Sequence, residues 1–164
     1  MGATLQTPPQ EPAELTGNLG WLLAQASHAL STEMTAAFEA KGGTPRGFCV
    51  LSTALTGEFT QKELADRVGL DKTTMVVTMD ALEADGLAER VPSPGDRRAR
   101  AITVTPAGRR AVTAGRKVVE RVQNQVLDTL DSHEREALMD ALGKLVCGPL
   151  AAPAACQNGP RRKA

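Results

Sequence analysis

The residues of this chain best suited to binding chemistry lie in one stretch, Val91 to Thr105, which reads VPSPGDRRARAITVT. Arg97, Arg98 and Arg100 follow a turn rich in proline and glycine, and Asp96 stands two residues before Arg98. A guanidinium is a rigid fork of donors that suits phosphate oxygens, and a nearby carboxylate can hold one such fork in place. A braced arginine loses less rotamer entropy on insertion into a groove than a free one does. Narrow A/T-rich minor grooves carry the enhanced negative potential that attracts it. The chemistry expected is therefore recognition of a polyanion, with Arg98 inserted and Asp96 as its brace. Arg97, Arg100 and Arg90, which stands at the base of the stretch, are expected on phosphates.

Catalysis has no comparable footing. The chain holds two histidines, His28 and His133, and His133 falls in a helix-capping segment. No Ser/His/Asp, Cys/His or paired-carboxylate arrangement and no glycine-rich phosphate loop is evident, so neither an enzyme nor a cofactor is expected. Cys49, Cys147 and Cys156 are odd in number and widely spaced, unlike a disulfide framework or a zinc site, and no metal is expected. Tyrosine is absent and Trp21 is the one tryptophan, which argues against a stacking platform for single-stranded nucleic acid. No apolar run is long enough to span a membrane. The opening MGATLQTPPQEPAEL lacks the features of a secretory or myristoylation signal, so a cytoplasmic location is expected.

The formal net charge of zero conceals segregation. Residues 1–85 carry 5 Lys or Arg against 11 Asp or Glu, whereas residues 86–121 carry 9 against 3. Residues 122–164 carry 5 of each. For binding to nucleic acid the local field matters more than the sum.

Apolar periodicity and turn punctuation around these residues predict a mainly α chain with a small two-stranded β-wing. Residues 1–13 and 148–164 have the composition of disordered tails. Leu15, Leu19, Leu22, Leu23, Ala26, Leu30 and Met34 recur at helical spacing until Gly42-Gly43. Thr44-Pro45 opens a second helix with Phe48, Leu51 and Leu55 on its apolar face, and Cys49 is expected there as an inert core thiol. Thr60 and Glu63 form a capping box at the start of a third helix that buries Leu64, Ala65 and Val68. Gly69-Leu70 makes a turn, and Asp71 caps a fourth helix that reaches about Ala84. This is a helix–turn–helix pattern. LAERV (87–91) and RAITV (100–104) then read as strands around the PSPGDR turn, which makes a wing. Thr105-Pro106 starts a long helix to about residue 130, striped by Val112, Val119, Val122, Val126 and Leu130. Val118 and Leu127 widen that stripe beyond what one neighbour covers. Asp131 and Glu134 form a second capping box before a last helix with Leu138, Leu142 and Leu145, broken by Gly148-Pro149.

On the fourth helix, Met75, Met79 and Leu82 share one face. Thr73, Val77 and Asp80 fall opposite, flanked by Lys72 and Val76. Two adjacent valines pointing away from a core have a use in a major groove, where apolar groups meet thymine methyls and threonine hydroxyls reach base edges. Lys72 and Thr73, near the positive end of the helix, suit phosphates. Asp80 does not, and is expected to pair with a nearby Lys or Arg.

The order of elements, with TQKELADRVGLDKTTM and LEADGLAERVPSPGDRRARAITVTPAGRR, resembles the MarR family of bacterial transcriptional regulators from about Leu15 to Val146. The Asp-Xaa-Arg element, the closing ITVT and the Thr-Pro-Xaa-Gly after it carry most of the specificity. The resemblance implies a winged helix-turn-helix with N- and C-terminal dimerisation helices: a DNA-binding domain at 43–105 and a dimerisation domain from 14–42 and 106–147. It implies an obligate homodimer on pseudo-palindromic double-stranded DNA, with Arg98 in the minor groove. Recognition-helix contacts map onto Lys72, Thr73, Thr74, Val76 and Val77. Many members carry an arginine or another polar residue where this chain has Val77, which favours thymine-methyl contact over guanine readout here. The resemblance further implies repression of its own or adjacent genes, relieved by a small aromatic or phenolic effector. Trp21 and His28 on the first helix and Arg46 and Phe48 on the second are candidates to line that effector's cleft. Two alternatives stay open: a winged-helix module for protein contacts without specific DNA binding, and a cysteine-based redox sensor. Peroxide-sensing members have a reactive cysteine near the start of the first helix, and this chain has none there.

Overall fold

Side-chain caps decide where the helices of this chain begin. A computed structural model describes Leu15, residues 17–92 and residues 100–151. The Asn18 side chain accepts a hydrogen bond from the Trp21 amide at 2.9 Å, so α1 runs Leu19–Glu39 and starts later than its periodicity implies. Thr44 caps α2 (Pro45–Ala54), with proline at the first turn. Thr60 and Glu63 close the expected capping box on α3 (Gln61–Val68), and Asp71 caps α4 (Lys72–Ala84). Asp131 and Glu134 do the same for α6 (Ser132–Cys147). Caps of this kind are each worth about 1 kcal/mol. At two of the helix ends stand Gly69 (φ +69°) and Gly86 (φ +67°), in the left-handed region that favours glycine.

The wing is an antiparallel pair of β1 (Ala88–Pro92) and β2 (Arg100–Val104), in register from Ala88 opposite Val104 to Pro92 opposite Arg100. The Ile102 amide donates to the Phe59 carbonyl at 2.9 Å, and Thr60 bridges Ala101, so β2 is stitched to the residues that open α3. One core unites these parts: Val50, Leu51 and Ala54 of α2, Leu64 and Ala65 of α3, and Met75, Met79 and Leu82 of α4. Ala88, Ile102 and Val104 of the wing and Val112 of α5 (Pro106–Leu127) complete it. Val68, expected inside, is half-buried at its rim.

The buried stripe of α5 is Gly108, Val112, Gly115, Val118 and Val122, so two of its five positions are glycines rather than the expected valines. A Cβ on Gly108 would stand 2.0 Å from the Leu87 carbonyl oxygen. One on Gly115 would stand 2.4 Å from the ring of Phe48, which packs on Phe38 with ring centroids 5.4 Å apart. α5 thus lies against the wing and α2 more closely than any side chain would allow. Val126 is exposed, and the helix ends at Leu127 rather than near residue 130.

Cys49 reaches the surface with only part of its side chain covered, which corrects the expectation of a core thiol. Helical spacing carries Gly47, Val50, Leu51 and Ala54 to the buried side of α2 and turns Cys49 to the other side. The tails expected to be disordered, Cys156 among them, lie outside the described residues.

Residues up to Gln123 form one compact unit, and those from Asn124 form a second. Within the second, Arg135 donates to the Leu130 carbonyl at 2.9 Å and to the Asp128 carboxylate at 3.2 Å. No residue of α6 is buried within the chain. Among the described residues no helix is long and apolar enough to cross a membrane.

Candidate nucleic-acid interface

The outer face of α4 and the adjoining wing hold most of the sequence-predicted binding residues. Asp71 fixes the start of α4: one carboxylate oxygen accepts the Thr74 amide at 2.9 Å and the other accepts its hydroxyl at 2.5 Å. These two bonds hold the Asp71 carboxyl below its usual range. At the start of α3, the backbone and hydroxyl of Thr60 likewise lower Glu63, aided by Arg67. Thr74, expected to contact DNA, is half-buried with its hydroxyl donated to the cap. Lys72, Thr73, Val76 and Val77 are exposed. Val77 is 63% exposed and Val76 37%, while Met75, Thr78, Met79 and Leu82 point inward. Leaving Val77 largely and Val76 partly in water forgoes a share of the roughly 1.5 kcal/mol or more that full burial of a valine contributes, and the fold itself gives no reason for it.

Arg90 requires a correction. Rather than standing free at the wing base for a phosphate, its guanidinium is enclosed by acceptors. Nε donates to Gln61 Oε1 at 2.9 Å, Nη2 to Asp80 Oδ1 at 2.8 Å, and Nη1 to Glu83 Oε2. The Arg90 backbone amide adds a bond to Glu83 Oε1 at 2.8 Å. The side chain is only 23% exposed. Asp80 thereby has the cationic partner that its position demanded. Gln61 and Glu83 were missed in the sequence, because nothing in its periodicity links the first residue of α3 and the end of α4 to a strand.

Arg100 is exposed at the tip-side end of β2, opposite Pro92. Asp96, Arg97 and Arg98 lie outside the described residues. Beyond the wing, the basic segment continues as one face of α5: Arg109, Arg110, Arg116, Lys117 and Arg121 are all exposed. None of the five appears in an ion pair among the described residues. Arg109, Arg110, Thr113, Ala114 and Lys117 line a surface groove there.

The four candidates for an effector cleft have different surroundings. His28 is exposed and lines a groove of α1 with Ser31, Thr32, Thr35, Ala36 and Glu39. Trp21 is half-buried and Arg46 exposed. The half-buried Phe48 is engaged with Phe38, Gly115 and the core. None of Trp21, Arg46 and Phe48 lines either of these two grooves.

A family model described as MarR family matches residues 45–99, which run from the start of α2 into the wing. The chain is similar to a transcriptional repressor, CouR, solved bound to a 23-mer DNA duplex. Identity is 28% with a TM-score of 0.76, over 83% of this chain and 97% of that one. It is also similar to a probable transcriptional regulator from Pseudomonas aeruginosa, at 27% identity and a TM-score of 0.72, over 80% of this chain and 98% of that one. CouR from Rhodococcus jostii RHA1 bound to p-coumaroyl-CoA shares the fold at 24% identity, with a TM-score of 0.71 over 89% and 100% of the two chains. A helix–turn–helix stitched to its wing, a family model over that same segment and agreement with solved regulators over most of the chain point one way: the chain has the winged-helix fold of MarR-type transcription regulators, and its residues 45–99 match the MarR family.

Proposed function

We propose that the protein is a homodimeric, sequence-specific repressor of its own or an adjacent gene, released from DNA by a small aromatic or phenolic ligand. Residues 43–105 would bind duplex DNA, and 14–42 with 106–147 would join two chains. The observation that carries the reading is the outer face of α4, where Val76 and Val77 stand in solvent beside Lys72 and Thr73. In a major groove the valines meet thymine methyls and the lysine meets phosphate. Arg98, braced by Asp96, would enter the flanking minor groove, with Arg97 and Arg100 on phosphates. Two such half-sites related by the dimer axis make a pseudo-palindrome.

Dimerisation is supported by apolar surface that one chain leaves uncovered. α6 buries nothing of its own, and Leu138, Met139 and Val146 are exposed. Leu19, Leu22 and Leu30 are exposed on α1. Large apolar side chains left uncovered on a helix mark a surface for association. The ligand reading is supported by two structures of proteins named CouR, one bound to a DNA duplex and one, from Rhodococcus jostii RHA1, bound to p-coumaroyl-CoA. Cys49 does not favour the redox alternative: partial burial pushes its thiol up, which lowers the reactive thiolate fraction.

The test is a mobility-shift titration with the intergenic duplex upstream of the protein's own gene, against a random duplex of equal length. Salt-sensitive, selective binding is expected, and Arg98→Ala should weaken it at least tenfold while sedimentation still reports a dimer. Equal and weak binding of both duplexes at physiological salt would leave the protein-contact module as the better account. Trp21 fluorescence offers a second assay: a phenolic effector should perturb it and release the DNA.

A further inference from the structure

We propose that Arg90 is a positioning residue for DNA recognition, which locks the wing to α4 and offsets carboxylate charge beside the DNA-facing surface. The proposal rests on the reading that α4 and the wing bind DNA. Arg90 lies on β1, Asp80 and Glu83 on α4, and Gln61 at the first turn of α3. One guanidinium therefore ties together the three elements that must meet a duplex in fixed relation. Its Nε, Nη1 and Nη2 each donate to a different side chain, an arrangement that a fork of donors can satisfy and a point charge cannot.

Charge gives the lock its second role. Asp80 is one helical turn beyond Val76 and Val77, and its side chain is 60% exposed. An uncompensated carboxylate there would repel the phosphates that Lys72 and Thr73 are placed to meet. Arg90 approaches from the wing and, shared with Glu83, offsets part of that charge. Its side chain is enclosed to a degree that suits an internal brace better than a phosphate contact.

The experiment measures binding of the upstream intergenic duplex and of a random duplex, each as a function of salt, for five proteins: wild type, Arg90→Gln, Arg90→Lys, Asp80→Asn, and Asp80→Asn with Arg90→Gln. Arg90→Gln should lose at least tenfold in affinity for the intergenic duplex. The double variant restores the local charge and should recover a substantial part of that loss. Asp80→Asn alone keeps the Gln61 and Glu83 contacts of Arg90 and removes a carboxylate from the DNA-facing side, so it should lose less affinity than Arg90→Gln. Arg90→Lys keeps the charge but not the three-way geometry, so it should bind the random duplex like wild type and lose discrimination. A direct phosphate contact predicts something different: both duplexes weakened alike, a salt slope lower by about 1, and no recovery from Asp80→Asn. That pattern would overturn the proposal. If Arg90→Gln fails to fold, as judged by circular dichroism, the discrimination of Arg90→Lys decides. If wild type itself does not select the intergenic duplex, it is the functional reading that fails, and a tighter fit of wing to α4 remains testable by hydrogen exchange.

Discussion

Gly108→Ala separates tertiary packing from helix propensity, because the two predict opposite signs. Gly108 is in the first turn of α5, where alanine would ordinarily stabilise the helix by up to about 1 kcal/mol. Its new Cβ would stand 2.0 Å from the Leu87 carbonyl oxygen and 2.7 Å from Val104 Cγ1. The first of these is backbone and cannot swing aside. That carbonyl also accepts the Thr105 amide at 3.1 Å and the Thr105 hydroxyl at 3.2 Å. Overpacking costs about 1–3 kcal/mol, and the weakening of one such hydrogen bond about 1 kcal/mol. Less the propensity gain, the net is a destabilisation of about 2 kcal/mol, or roughly 4–8 °C in melting temperature for a chain of this size. Urea denaturation of both proteins at one fixed concentration measures it, since a dimer's midpoint shifts with concentration. A variant as stable as wild type, or more so, would refute the claim that the wing and α5 meet too closely for a side chain.

Three further outcomes are expected. Val77→Ala should weaken binding to the intergenic duplex by roughly tenfold while leaving random-duplex binding unchanged, because a thymine-methyl contact specifies rather than attracts; parallel mobility-shift titrations of the two duplexes measure the difference. Asp71 and Glu63 have depressed carboxyls in the folded chain, so their contribution to stability is present above the unfolded carboxylate range near about pH 4 and is lost as pH falls through the folded values. Asp71→Asn, which keeps an acceptor for the cap but no charge, should flatten the acid side of a stability–pH curve. Finally, iodoacetamide at neutral pH should label Cys49 more slowly than a free thiol, since burial raises its pKa, and Cys49→Ser should leave DNA binding in peroxide unchanged.

Much of the candidate site is legible in the sequence because its signals are local. Thr60 with Glu63, Asp71 before Thr74, and Met75, Met79 and Leu82 at helical spacing each act within one or two turns, and each was realised. Even the need of Asp80 for a cation could be read, since an acidic group on a face proposed to meet DNA is anomalous by itself. Its partner could not. Arg90 is ten residues on, past Gly86 and a change from helix to strand, and Gln61 is 29 residues from Arg90. The same holds for Gly108 and Gly115, which look like weak points of a helix until Leu87 and Phe48 are seen against them. The sequence alone determined which segments are helices and, wherever a cap or an opening proline could be read, where they start, because caps and periodicity are properties of neighbouring residues. Only the tertiary structure decided how the wing, α4 and α5 are locked together, because that depends on side chains far apart in the chain competing for the same few ångströms.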